Sequence, residues 1–77
     1  MKHFLEYVVR SLVDNPDDVQ ITEAAKDGET VFRISLHPSD VGLVIGKGGH
    51  TISAIRSLIN AANKAGTHLA VEVVENT

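Results

Sequence analysis

The segment Gly46-Lys47-Gly48-Gly49 constrains this chain more than any other, because it separates two stretches that both read as helix. Before it, Pro38-Ser39-Asp40 looks like a helix start with Ser39 or Asp40 as cap, leaving room for a short helix over roughly Val41 to Ile45. After it, Ile52, Ile55, Leu58, Ile59 and Ala62 recur at helical spacing. Glycine permits positive φ and close approach of another backbone, so the chain can reverse here in very few residues. The first amides of the second helix have no internal partner, and the helix dipole favours an anion near them. Lys47 adds a mobile positive charge. By spacing alone, a phosphate-binding turn and a plain helix-to-helix connection both remain open. Two other phosphate motifs fail. A Walker A loop needs one more residue between Gly42 and Gly46, and has no glycine after its lysine. A dinucleotide fingerprint needs a third glycine where Thr51 stands, and a strand rather than a helix in front.

The flanks supply the rest of a small domain. Met1, Phe4, Leu5, Val8, Val9, Leu12 and Val13 mark an amphipathic helix that Asn15-Pro16 ends. Val19 and Ile21 alternate with polar neighbours in a short strand running toward Ala25. Asp27-Gly28 signals a hairpin, and Phe32, Ile34 and Leu36 alternate with Arg33, Ser35 and His37 on the return strand. Gly66 is placed to stop the long helix, with Lys64 near its end to complement the dipole. Leu69, Val71 and Val73 then mark a last strand before the tail Glu75-Asn76-Thr77. The predicted order is α-β-β-α-α-β, a two-layer α+β domain with three helices over one face of a three-stranded sheet.

Seventy-seven residues predict one domain with a modest core. The absence of cysteine excludes a disulfide framework and a thiolate metal site. His3, His37, His50 and His68 are too dispersed for a local ligand motif, so no metal role and no cofactor is assigned. No acid–base pair or nucleophile constellation has a recognisable spacing, so no enzyme is predicted. No apolar run approaches a membrane span and no signal peptide is evident, which predicts a cytoplasmic protein. The net charge of −3 is unusual for a nucleic-acid binder. Its distribution is uneven: residues 1–29 carry −4, residues 30–66 carry +3 and residues 67–77 carry −2. Anion binding therefore belongs to the middle of the chain.

Val44-Ile45-Gly46-Lys47-Gly48-Gly49, set in that element order, resembles the signature of K-homology (KH) domains of type II. The likeness covers nearly the whole chain. The length, the HPSDVGLVIGKGG run and the Thr51–Ala62 helix resemble the KhpA family of small bacterial single-KH proteins. The resemblance implies that a single KH domain, residues 1–77, binds single-stranded RNA, its GxxG loop gripping the backbone of about four nucleotides. Gly46, Lys47, Gly48 and Gly49 would form the clamp, with Val44, Ile45 and Ile52 the nearest apolar contributors. Ile52 and Ile55 read better as core, and Val44 is open between the two roles. Arg56 is placed for a phosphate or for a solvated helix face, His50 for a phosphate or for an unliganded first turn. Arg33 would line the other wall of the groove or be simple strand surface.

Such a clamp on an acidic domain implies weak, local binding. Useful affinity then needs a second copy or a second RNA-binding protein. The resemblance suggests a homodimer or a pairing with a KhpB-like KH protein, and a role as RNA chaperone or regulator linked to cell shape and cell-wall organisation. The exposed part of the Thr51–Ala65 helix is the expected contact surface, since Ile52, Ile55, Leu58, Ile59, Ala61 and Ala62 cover more than a narrow stripe. The alternative is a protein-interaction adaptor with a KH fold that does not bind RNA.

Overall fold

A computed structural model describes residues 1–76. Helix α1 spans Lys2–Leu12, strands β1 and β2 span Gln20–Lys26 and Glu29–Leu36, and helix α2 spans Val41–Ile45. Helix α3 spans His50–Ala62 and strand β3 spans Leu69–Glu75. The sheet order is β1-β2-β3, with β1 antiparallel and β3 parallel to the central β2. This is the predicted α-β-β-α-α-β arrangement.

The strand alternation builds the two faces. Ile21 pairs with Ile34, and Phe32 and Ile34 pair with Val71 and Val73, so one face is apolar along β2 and β3 and reaches β1 at Ile21, while Glu23 stands beside Phe32 toward the hairpin end. Leu5 and Val9 of α1, Val44 of α2, and Ile52, Ile55 and Ile59 of α3 bury against it. Thr22, Arg33 and Glu72 form a row on the other face, which carries no helix. The hairpin turn has φ of 51° at Asp27 and 80° at Gly28. Two consecutive positive values fit the type I′ turn expected from Asp-Gly.

Three local expectations differ. Helix α3 ends at Ala62, because Asn63 is extended and its side chain ties the next loop. Asn63 Nδ2 donates to the Thr67 carbonyl at 2.6 Å, and its Oδ1 accepts from the Ala65 amide at 3.2 Å. Gly66, with φ of 79°, therefore shapes the loop rather than the helix end, and Lys64 lies beyond the last turn. Asp40 does not cap α2 with its side chain. Its carboxylate accepts from the amides of Asp14 at 3.2 Å and Asn15 at 3.0 Å, and from Asn15 Nδ2 at 3.1 Å. Asp40 thus satisfies the chain where it leaves α1, and it is fully buried. His37 acts as the local cap instead, its Nδ1 accepting from the Ser39 amide at 3.1 Å.

Candidate nucleic-acid interface

The glycine turn lies at the end of the molecule where α2 gives way to α3. Gly46 has φ of 76° and ψ of 170°, a combination that an L side chain resists. Gly48 and Gly49 follow in the left-handed region, with φ of 63° and 77°. The Gly46 amide donates to Gly42 O at 2.9 Å and closes α2, while the Gly49 amide donates to Gly46 O at 3.1 Å. The His50 amide donates to the Lys47 carbonyl. Among the described residues, the amides of Lys47 and Gly48 make no such backbone bond. The free donors are therefore at the tip of the turn, and Lys47 and Gly48 are both exposed there. A tip with two bare amides and one ammonium group is chemically suited to an oxyanion.

The other expected residues divide. His50 follows directly, exposed, with its ring against Gly48. Ile45 is half-buried beside the turn. Val44 has no exposed surface and belongs to the core, so it offers nothing to a ligand in this conformation. Leu43, on the same short helix, is 43% exposed, which the helical spacing did not single out. Ile52 and Ile55 are core, as their spacing predicted.

Arg56 is exposed but already engaged, its Nη2 donating to the Val71 carbonyl at 3.1 Å. One turn further on, Asn60 pairs with Leu69, accepting from its amide and donating to its carbonyl, both at 2.9 Å. The even-numbered residues of this stretch face β2, as the bonds from Thr30 N to His68 O and from Asn76 N to Leu36 O show. The backbone groups of the odd-numbered residues of β3 point to the free sheet edge, so Asn60 and Arg56 cover its first half. The second half, at Val73 and Glu75, is the part lying toward the start of α3.

Arg33 is not part of this assembly. It sits on the sheet face without helices, its Nε 3.2 Å from Glu72 Oε2, with both side chains more than half exposed. A shallow cavity of about 260 Å³ opens there, lined by Thr22, Ala24, Lys26, Val31, Arg33 and Glu72. The alternation of β2 that buries Phe32 and Ile34 sends Arg33 to the opposite side from the glycine turn. No helix is long and apolar enough to cross a membrane, and no group of potential metal ligands occurs among the described residues.

A mixed three-stranded sheet in this order, with a GxxG turn between two helices on one face, defines a type II KH domain. Residues 2–73 match the family described as KhpA/KhpB, KH domain, and the chain belongs to it. It is similar to the RNA-binding protein KhpA of Chlamydia pneumoniae, with 37% identity over 97% of each chain. It is 40% identical to the RNA-binding protein KhpA of Clostridium acetobutylicum, over 96% of this chain and all of that one. With the RNA-binding protein KhpA of Mycobacterium leprae it shares 44% identity over 92% of this chain and 86% of that one.

Proposed function

We propose that this chain binds single-stranded RNA as one KH domain, with the Lys47–Gly48 tip gripping the sugar-phosphate backbone. The observation that carries the reading is the pair of exposed, unbonded amides at that tip, next to the Lys47 ammonium group. Relatives that align over nearly their whole length and are named RNA-binding proteins support it. The strand runs from the tip into the groove between the start of α3 and the open part of the β3 edge. Ile45 and Leu43 supply apolar surface near the entrance. Gly46 supports the tip from within, Gly49 and His50 flank it, and Arg56 lies on the groove's far rim. Arg33 takes no part.

The chain acts with a second KH domain, either its own copy or a KhpB-like protein, because one clamp on an acidic domain binds weakly. Exposed Phe4 and Tyr7 on α1 and Leu58 on α3 are available for such a contact. The surface expected from the periodicity of α3 is smaller than it looked, since Ile52, Ile55 and Ile59 are buried. Sedimentation at increasing concentration tests the pairing, and a chain that stays monomeric at high micromolar concentration without a KhpB-like partner bound counts against it.

Transcriptome-wide crosslinking in cells tests the RNA reading, with the Lys47→Asp/Gly48→Asp variant as control. Transcripts crosslinked to the wild type and lost in a folded variant are the expected result. Equal crosslinking by both removes the clamp, and partner capture without any RNA favours the adaptor reading.

A further inference from the structure

The first glycine of the turn faces inward. A Cβ placed on Gly46 would overlap Thr51 Oγ1, and would lie 2.7 Å from Thr51 Cβ and 2.9 Å from the Thr51 amide nitrogen. Gly49 has nearly the same φ, yet a Cβ there would meet nothing within 4 Å. A Cβ on Gly48 would meet only the His50 ring, at 3.8 Å. The three glycines therefore do different work. Gly48 and Gly49 leave the tip open, whereas the missing side chain of Gly46 makes room for Thr51.

Thr51 is well suited to hold what it touches. It is the second residue of α3, half-buried, and its branched Cβ restricts χ1. Helix α3 is itself fixed to the sheet by Ile52, Ile55 and Ile59 beneath and by the Arg56 and Asn60 bonds along β3. The turn's own hold is limited to backbone hydrogen bonds, from Gly46 to Gly42, Gly49 to Gly46 and His50 to Lys47, because three of its four residues have no side chain. Glycine loses more backbone freedom on ordering than any other residue, so a turn of this composition needs an external support to stay in one shape.

We propose that Thr51 is a positioning residue of the clamp: its side chain fills the space vacated at Gly46 and holds the Lys47–Gly48 tip in the shape that offers its amides to a phosphate. The proposal rests on the RNA-binding reading above. A pre-shaped turn does not have to be ordered when the strand arrives, so affinity gains by what ordering would otherwise cost. Thr51 touches Gly46 and acts on the ligand only through the turn.

The test compares the full chain with its Thr51→Ala and Thr51→Ser variants. Two readouts are used: hydrogen exchange of the Gly49 amide, which is bonded to Gly46 O, and affinity for a short random-sequence single-stranded RNA. Alanine removes the hydroxyl and methyl group and keeps only the Cβ beside Gly46, and is expected to speed exchange at Gly49 and to weaken RNA binding about tenfold, with global stability little changed. Serine keeps the hydroxyl that lies closest to Gly46 but lacks the stiffening branch, and restores most of both. Unchanged Gly49 exchange in the alanine variant, or a serine variant as impaired as the alanine one, overturns the proposal. If the alanine variant does not fold, a folded serine variant with fast Gly49 exchange overturns it equally, and one with near-wild-type exchange and affinity supports it. A wild-type chain that fails to bind the RNA sinks the RNA reading alone, and the exchange comparison still decides whether Thr51 holds the turn.

Discussion

Asn60 of α3 pairs with Leu69 of β3 as a neighbouring strand would, accepting from its amide and donating to its carbonyl at 2.9 Å each. A helix side chain thereby closes part of a sheet edge that would otherwise present unpaired backbone groups. Arg56, four residues earlier and so on the same helix face, extends the cover to the Val71 carbonyl. Removing Asn60 leaves both Leu69 groups without their partner at a half-buried position. Asn60→Ala should lower stability by about 2 kcal/mol, the sum of two modest net hydrogen bonds. Urea denaturation checks this, and a loss below about 0.5 kcal/mol, the ordinary surface range, would mean the pairing is incidental.

Glycine substitutions in the turn should be unequal. Gly46→Ala places a methyl group on Thr51 and forces φ near 76° on an L residue. The two penalties together should cost about 2–4 kcal/mol. Gly49→Ala meets open space and carries only the left-handed backbone cost, about 1 kcal/mol. Chemical denaturation of both variants measures the difference, and equal losses would show that Thr51 does not occupy the Gly46 side.

Asp40 should make the fold sensitive to acid. Burial alone would raise its carboxyl, but the Asn15 side chain, the Asp14 and Asn15 amides and the nearby His37 together hold it below the usual aspartate value. In the range between that lowered value and the unfolded one near 3.9, the unfolded chain binds more protons than the folded one. The stability from Asp40 is therefore complete above the unfolded value and is lost as pH falls through the lower folded value. Asp40→Asn puts an amide among three N–H donors. It should lower the thermal midpoint at neutral pH by several degrees and flatten the acid limb of the stability curve. Superimposable acid limbs for the two proteins would contradict this.

The elements legible in the sequence are those set by neighbours a few residues apart. Phe32, Ile34 and Leu36 announce β2 by alternation, Asp27-Gly28 announces its turn, and Ile52, Ile55 and Ile59 announce the buried face of α3. What escaped was decided by distant partners or by three-dimensional facing. Asp40 satisfies amides that precede it by 25 and 26 residues, so its cap-like position misleads. Gly66 carries the φ of a helix terminator, yet Asn63 ends the helix first by bonding to Thr67 and Ala65. Val44 and Leu43 share one short helix, and only the packing of α2 decides that the first is core and the second exposed. In the candidate site, the GxxG turn and its place between two helices were readable. That Gly46 turns inward onto Thr51 while Gly48 and Gly49 stay open could be seen only in the folded turn.

Direct titration of a short single-stranded RNA over a range of salt tests the proposed grip of the Lys47–Gly48 tip on the RNA backbone. The wild type should bind with a log–log salt slope of about −1.5 to −2, as expected for two or three neutralised phosphates. The Lys47→Asp/Gly48→Asp variant keeps its fold, since aspartate is among the residues that tolerate the left-handed conformation of Gly48 and the tip is exposed. It should show no binding at any salt tested. A folded variant that binds as tightly as the wild type, with the same slope, would contradict the account.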